Sequence, residues 1–454
     1  MVTEKFFPIK TYLVWFKMEE RRGKRANKKL TLTGSKQKRG LSVEEVVQEE
    51  LRLKEERKTK KKRTPLTTFV PVTSGTFKWL GSGDLGGVVN LRRGSTKQQI
   101  FLKLAPPTVV EEMIKERYEM RKKGEHEITV KDIYEYWAVR IFMHGERLPK
   151  FLDNWSKEYD MKRRLPMGKQ RYKRLQKVWL CPSAVKKLNE ASQALIRVPE
   201  VVDIDEKLQP FSGITPYLRY IPNKDPPNGH LIVETTLKGS STQLPFLLNS
   251  YPVQQHDGPT MLEFFQAALG HLNEEEKQEV VVIADAYYID EASRKWLREN
   301  GIKYLLAVNP TRFAEVWVGL RCEAQEIGAW VIGWSEETEE AALYHWHEKL
   351  GEIYLLTNAF SYVDDGKDLH EPIFERYYKH TFNITDKLNH HLHGKGYPYH
   401  RPKWMYNFDN FHFTSLLWNS YVLYHECHPN VPRMEWREYC VSLYSELWAW
   451  TTKQ

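Results

Sequence analysis

Cysteine is scarce in this sequence, and long hydrophobic runs are absent. The four cysteines, Cys181, Cys322, Cys427 and Cys440, are scattered and form no C-x-x-C pair. This spacing argues against a disulfide framework and a zinc finger, and it is typical of a reducing compartment. No apolar run approaches the length that spans a bilayer, and the stretch 12–16 is too short for a signal-peptide core. The sequence therefore predicts an intracellular, soluble protein without a membrane partner.

Charge is unevenly distributed along the chain. Residues 1–66 carry 20 Lys or Arg and 9 Asp or Glu, a net charge of +11, whereas the rest carries 48 and 50, a net charge of −2. A basic arm on a nearly neutral body indicates a polyanionic partner such as nucleic acid. The run at 58–63 (KTKKKR) resembles a nuclear localisation signal, although a solvated charge run fits the same residues. On this basis we expect the protein in the nucleus.

Composition and periodicity divide the sequence into five segments. They are a largely disordered basic arm (1–66), a small β-rich segment (67–106), a helical, highly charged segment that is a candidate for DNA binding (107–195), an α/β segment with a β-rich insertion at about 311–358 (196–425), and a helical tail (426–454). Short apolar runs in the second segment predict strands at Phe77–Leu80, Val88–Leu91 and Gln99–Leu102.

Three aspartates of the α/β segment occupy positions where such folds assemble sites. Asp205 and Asp285 each end a predicted strand, and Asp386 lies near the start of a predicted helix. Mg²⁺ prefers hard oxygen ligands, and three carboxylates could hold two ions for phosphodiester cleavage. An aspartate at a strand end is more often a turn residue or a helix cap. Asp203 also shares a strand face with Asp205, and the pattern alone does not say which of them is a ligand.

The sequence around these acids resembles the piggyBac transposases and the host proteins derived from them. The stretch Asp205–Phe211 (DEKLQPF), followed by Arg219–Lys224 (RYIPNK), is similar to the family's strand ending in Asp-Glu and its Ile-Pro-x-Lys segment. This pairing selects Asp205 over Asp203. Further stretches between about 127 and 425 resemble family motifs: Met167–Tyr172, Asp285–Tyr288, Asp386–Asn389, Lys403–Trp404 and Asn419–Tyr424.

The resemblance implies an RNase H-like α/β catalytic core with a β-rich insertion, preceded by a helical domain and the basic arm. It implies Mg²⁺-dependent cleavage and transfer of DNA strands, with Asp205, Asp285 and Asp386 as catalytic residues. Together with Asn389 these acids would hold two Mg²⁺ ions. The implied partner is double-stranded DNA, both transposon ends and target, and a homodimer is compatible with it. The candidate DNA-binding residues are Arg219, Lys224, Arg171, Lys403, Lys60, Lys61, Lys62 and Arg63.

Several positions depart from the family pattern. Asn389 replaces a fourth aspartate, and Ala286 replaces the asparagine that usually follows the second one. The family's C-terminal Cys/His-rich zinc domain has no counterpart, and we interpret His425, Cys427 and His428 as part of a polar loop. These departures favour an alternative, a transposon-derived DNA-binding protein that has lost catalysis. A third hypothesis is an unrelated soluble α/β protein with a basic tail, which would scatter the three aspartates.

Overall fold

The computed structural model describes residues 69–80, 91–119, 127–146, 166–196, 201–211, 218–221, 227–239, 241–253, 261–286, 289–311, 313–393 and 404–454. The basic arm with its KTKKKR run lies outside these residues, as does most of the strand predicted at Val88–Leu91. The first elements are two strands and a helix, β1 (Val70–Val72), β2 (Ser74–Trp79) and α1 (Lys97–Leu104). Four helices follow: α2 (Pro107–Glu119), α3 (Val130–Glu146), α4 (Lys169–Leu175) and α5 (Pro182–Leu195).

Helix α1 corrects one prediction, because the strand expected at Gln99–Leu102 is wrong. Thr96 caps the helix: its hydroxyl accepts from the Gln99 N–H at 3.2 Å, and its own N–H donates to Gln99 Oε1 at 3.0 Å. This capping box satisfies two donors that a helix start leaves open. Ile100, Phe101 and Leu104 are fully buried. The apolar run that resembled a strand is therefore the buried face of a helix.

The main sheet follows, with intervening helices. Its strands are β3 (Val201–Pro210), β4 (Leu218–Tyr220), β5 (Asn228–Lys238), β6 (Pro245–Pro252), β7 (Val281–Ala284) and β8 (Lys303–Ala307). The helices between them are α6 (Met261–Leu269), α7 (Glu274–Glu279) and α8 (Glu291–Glu299).

The order of the strands identifies the fold class. Neighbouring strands run β6-β5-β3-β7-β8, and β4 pairs with the start of β5. β5 is antiparallel to β3 and β6, whereas β3, β7 and β8 are parallel to one another. Without the short β4, the five remaining strands can be numbered 1 to 5 along the chain. They lie in the order 3-2-1-4-5, and the second strand runs antiparallel to the other four. This is the RNase H-like arrangement. The predicted fold class is confirmed.

The chain separates into two compact units, and the smaller one consists of Met1–Thr76, Asn309–Leu355 and Tyr362–Pro372. This unit contains β1 and the start of β2. The other elements with all or part of their residues in it are α9 (Ala314–Glu323), β9 (Trp330–Ser335), β10 (Glu340–His347), β11 (Gly351–Thr357) and β12 (Phe360–Asp368). β1 and β10 each pair antiparallel with β9. A Cβ on Gly333 of β9 would lie 2.8 Å from Leu320 of α9, so glycine permits this close approach. The expected β-rich insertion falls in this unit.

The larger unit ends in helices α10 (Ile373–Thr381), α11 (Ile384–Leu392), α12 (Trp404–Cys427) and α13 (Trp436–Lys453). Helix α13 packs against α3 and buries Tyr439, Cys440, Leu443 and Leu447. No described helix is both long enough and apolar enough to cross a membrane. The polar loop predicted around His425 and Cys427 is wrong, because both residues lie in the last turn of α12 and are buried.

A buried ion pair connects two helices of the larger unit. Arg140 Nη1 of α3 lies 2.7 Å from Asp409 Oδ2 of α12, and Arg140 is only 1% exposed. Asp409 Oδ1 also accepts from the Leu180 N–H at 2.8 Å, just before α5. Burial raises the pKa of Asp409, although Arg140 and the hydrogen bonds oppose the shift. This one carboxylate therefore connects three parts of the helical core.

Candidate metal centre

The register of the main sheet places several charged side chains on one face. Asp205 of β3 pairs with Glu234 of β5. Directly opposed residues of antiparallel strands share a face, and so do residues two apart on one strand. Asp203, Asp205 and Lys207 therefore point to the same side as Glu234. Asp285 directly follows β7, whose Ala284 pairs with Ile204, so it comes level with Asp205 where the parallel pairing of β3 and β7 ends. The prediction that Asp205 ends a strand is wrong, because β3 continues to Pro210 through its pairing with β5.

Three carboxylates form a cluster where this parallel pairing ends. Asp205, Glu206 and Asp285 each offer an oxygen, and the three oxygens lie within 4.8 Å of one another. All three residues are partly buried. The structure thus brings together two of the three predicted catalytic aspartates, and it adds Glu206, which the sequence analysis quoted only as part of a motif.

The electrostatics of this cluster favour a cation. Burial raises the pKa of Asp205 well above its ordinary value, and the charges of Glu206, Asp285 and Asp203 act in the same direction. Like-charged carboxylates in a poorly solvated place repel one another, and a bound cation reverses that effect. Mg²⁺ prefers hard oxygen ligands and keeps several waters, so three convergent carboxylates fit it. We conclude that the donor set is suited to a hard divalent ion.

Asp203 has a different place from Asp205. Its side chain is 2% exposed, and its Oδ2 accepts from the Thr385 N–H of α11 at 2.9 Å. The Thr385 hydroxyl also lies 2.7 Å from the hydroxyl of Thr236 on β5. The N–H groups of a helix's first turn have no partner within the helix, so Asp203 acts as a cap that ties α11 to the sheet. Burial raises the pKa of Asp203, and the Asp386 charge adds to the shift.

Asp386, the third predicted catalytic residue, follows Thr385 in the first turn of α11. Its side chain is exposed, and it is not part of the cluster of Asp205, Glu206 and Asp285. Its charge nevertheless contributes to the raised pKa of both Asp203 and Glu234. Asp386 therefore lies beside the same face of the sheet, near the cluster but outside it.

Asn389, the predicted fourth ligand, is engaged at both ends of its amide. Its Nδ2 donates to Glu234 Oε2 at 3.0 Å, and its Oδ1 accepts from Lys207 Nζ at 2.7 Å. Lys207 Nζ also lies 4.6 Å from the centre of the Phe411 ring. Asn389 therefore bridges a lysine of β3 and a glutamate of β5.

Glu234 is the most deeply buried acid of this face. It is 0% exposed, and its Oε1 has no hydrogen-bond partner among the described residues. Burial raises the pKa of Glu234 while the Lys207 charge opposes the shift, and burial lowers the pKa of Lys207 while Glu234 opposes that shift. Sequence reasoning missed both residues. The available signals were a lysine two positions after Asp205 and a lone acid inside the buried run 230–237 (HLIVETTL).

The predicted DNA-binding residues are only partly within the described chain. Arg171 of α4 lies 2.7 Å from Asp132 Oδ1 and 2.5 Å from Glu135 Oε2, with 38% of its side chain exposed. Arg219 lies on β4 and is partly buried. The other predicted contacts lie outside the described residues: Lys224, Lys403, Lys60, Lys61, Lys62 and Arg63.

Comparison with known proteins identifies the fold. The sequence matches no protein-family model and no curated protein. Six chains of solved structures match, among them one described as the cryo-EM structure of a piggyBac transposase synaptic complex with hairpin DNA. That chain superimposes with a TM-score of 0.61 at 14% sequence identity, and the match covers 81% of this chain and 83% of the other. The protein therefore has the fold of a piggyBac transposase.

Proposed function

We propose that this protein cleaves and transfers DNA strands in a divalent-metal-dependent reaction, as a transposase of the piggyBac type. The observation that carries the proposal is the convergence of Asp205 and Asp285, together with Glu206, where the pairing of β3 and β7 ends in an RNase H-like sheet. These two aspartates are 80 residues apart in the sequence, so only the fold brings them together. The likeness to a transposase solved with hairpin DNA supports the same reaction class.

The described residues suggest a division of roles. Asp205, Glu206 and Asp285 would hold Mg²⁺, which when bound activates a water or hydroxyl and stabilises the leaving oxygen of a phosphodiester. Asp203 positions the start of α11 through its hydrogen bond to Thr385. We propose Asp386 as the third catalytic acid, because it extends from that fixed helix start beside the same face. The resemblance implies two Mg²⁺ ions. Both ends of the Asn389 amide already have protein partners, which affects whether this residue can be a ligand of a second ion.

Double-stranded DNA, as transposon end and as target, is the proposed partner. The similar piggyBac transposase was solved as a complex with hairpin DNA, and the arm of this chain carries a net charge of +11. Lys and Arg of such an arm bind phosphates through counterion release, without reading sequence. We further propose a nuclear location from the KTKKKR run, and a homodimer as the working assembly.

A second candidate function is DNA binding without catalysis, by a protein derived from a transposase. Two observations favour it. Asp386 stands outside the carboxylate cluster, and the Asn389 amide oxygen accepts from Lys207. In this case the fold and the arm would keep their affinity for DNA while strand cleavage is lost.

The nicking of supercoiled plasmid and of hairpin-ended duplexes in Mg²⁺ separates the two candidates. A catalytic chain nicks DNA with Mg²⁺ and not with EDTA. Asp205→Asn or Asp285→Asn removes a direct ligand, so the rate should fall by more than the roughly 10–100-fold that loss of an outer-shell partner of a metal costs. Glu299→Gln is the matched control, since Glu299 is an exposed acid on α8. Undiminished nicking by Asp285→Asn would refute the assignment. Salt-sensitive binding without any nicking would select the second candidate.

A further inference from the structure

Lys207 is a charged side chain of the metal face that the proposed function leaves without a role. It lies two residues after Asp205 on β3 and points to the same face. Consecutive residues of a strand rise by about 3.3 Å, so the two side chains start roughly 7 Å apart. Its ammonium group is held on one side by Asn389 Oδ1 at 2.7 Å and packs over the Phe411 ring. A lysine in this setting is a fixed positive charge beside the carboxylate cluster.

The contacts of Lys207 occupy the place where a second metal ion would need ligands. A second ion would need oxygens from both Asp386 and Asn389 of α11, and Asn389 contacts both β3 and β5. Its Oδ1 accepts from Lys207, and its Nδ2 donates to Glu234. The amide group has a single oxygen, and the Lys207 ammonium group already lies 2.7 Å from it. A divalent ion on the same oxygen would stand next to that positive charge, and the two cations would repel each other.

Glu234 completes this arrangement from the neighbouring strand. It stands opposite Asp205 in the register and is fully buried, and within the described part of the chain one of its oxygens has no hydrogen-bond partner. A buried acid of this kind requires a positive charge nearby. Lys207 lies within the same hydrogen-bonded group and provides that charge. The face thus has a cation on the side of α11 and an acidic cluster where the pairing of β3 and β7 ends.

We infer that the site takes one divalent ion, at Asp205, Glu206 and Asp285, and that Lys207, positioned by Asn389 and Glu234, supplies the second positive charge. This inference rests on the proposed function, because it assigns the cation that faces the DNA phosphate in the proposed cleavage. Asn389, which replaces a fourth aspartate, then accepts a hydrogen bond from the Lys207 ammonium group. Asn389 positions an ammonium group and does not bind a metal.

Counting bound ions tests the inference without using activity. Mn²⁺ is titrated into the full chain by isothermal calorimetry, with the bound ions counted by electron paramagnetic resonance. We expect one ion per wild-type chain. Asn389→Asp should still bind one, because the new carboxylate pairs with Lys207. Lys207→Gln combined with Asn389→Asp should bind two, because a carboxylate has become free and the ammonium group has gone.

Lys277→Gln is the matched control for this experiment. Lys277 is 8% exposed, and its Nζ donates to Glu274 Oε1 at 2.8 Å and to Asn300 Oδ1 at 2.9 Å, which resembles the setting of Lys207. The Lys277→Gln variant should bind one ion. Thermal unfolding shows whether each variant folds. If the double variant does not fold, the number of ions bound by the wild-type chain still tests the inference.

The possible counts distinguish the failure of this inference from that of the proposed function. Two ions on the wild-type chain would overturn the role of Lys207 and leave the proposed function intact. A folded double variant that still binds one ion would have the same consequence. No bound ion on the wild-type chain would overturn the metal centre itself and, with it, this inference.

Discussion

At Asp205, burial and neighbouring charge act in the same direction. Its carboxyl group is partly buried beside Glu206 and Asp285, and its pKa is raised well above the ordinary value. Residues that assemble a site in this way commonly reduce the stability of the fold. The repulsion among these carboxylates is relieved when a cation binds or when the Asp205 charge is removed.

Asp205→Asn should therefore stabilise the metal-free protein at neutral pH. Removing one of several repelling charges from the cluster should raise the free energy of unfolding by about 0.5–2 kcal/mol. The same variant should lose the stabilisation that Mg²⁺ gives to the wild type. Thermal unfolding with and without Mg²⁺ measures both effects. A variant that is less stable than the wild type in EDTA would contradict this account of the cluster.

The pH dependence of stability follows from the sign of the same shift. The folded chain keeps the Asp205 proton at pH values where the unfolded chain, with an ordinary pKa of 3.8, has lost it. The folded state therefore binds more protons, and stability falls as the pH rises from that value through the folded-state pKa. The advantage of Asp205→Asn over the wild type should grow across this window. An advantage that is constant with pH would contradict the raised pKa.

Single residues show what sequence reasoning could and could not reach at this site. Asp285 could be selected because β7 ends just before it, and Asp205 because its surroundings resemble a family, although β3 continues beyond it to Pro210. Glu234 and Asn389 could not be paired, because their contact depends on the β3–β5 register and on the placement of α11 over the sheet. Neither of these is encoded within one segment of the chain.

At the scale of elements, the buried pair of Arg140 and Asp409 is the clearest determinant of stability. Arg140→Met should leave the Asp409 carboxylate in the core with only the Leu180 N–H as its partner. Breaking a buried pair on one side commonly costs about 3–5 kcal/mol. Chemical denaturation measures the change.

A surface pair provides the control for Arg140. Arg437 of α13 lies 3.0 Å from Glu146 Oε2 of α3, and 68% of its side chain is exposed. Arg437→Met should cost less than about 1 kcal/mol, since exposed pairs contribute little. Equal losses in the two variants would show that Arg140 does not act through a buried charge.

Helix α13 is the second element with a testable role. The sequence analysis placed a helical tail here, and the structure packs that helix against α3. Leu443 is fully buried, so Leu443→Ala should destabilise the protein by about 2–5 kcal/mol. Ser445→Ala, at an exposed position two residues away, should change stability by less than about 0.5 kcal/mol. If Leu443→Ala had no effect, α13 would not belong to the core.

Elements were predictable where the local pattern agreed with the tertiary environment. The short buried strand β7 and the capped helix α8 follow from apolar runs and turn residues. The region of α1 was misassigned because four residues cannot distinguish a strand from one buried helical face. The polar loop predicted at His425 and Cys427 is wrong because α12 continues through Cys427 and is buried along most of its length.

For the whole molecule, charge separates the arm from the body. The full chain has a net charge of +9, and without residues 1–66 it would have −2. Replacing Lys60, Lys61, Lys62 and Arg63 by Gln in the full chain should weaken DNA binding at low salt. The slope of log affinity against log salt should shrink by up to about 3.6, at roughly 0.9 for each lost phosphate contact. Fluorescence anisotropy over a salt series measures it, and an unchanged slope would exclude these residues from the interface.

The central claim is that Asp205, Glu206 and Asp285 form a centre for a divalent ion. The most direct measurement is the anomalous diffraction of crystals soaked in Mn²⁺. The account predicts a peak bonded to oxygens of Asp205 and Asp285, at about the 2.0–2.2 Å typical of hard divalent ions on carboxylates, and its loss in Asp285→Asn. Full occupancy of Mn²⁺ elsewhere, with no peak between these carboxylates, would contradict it.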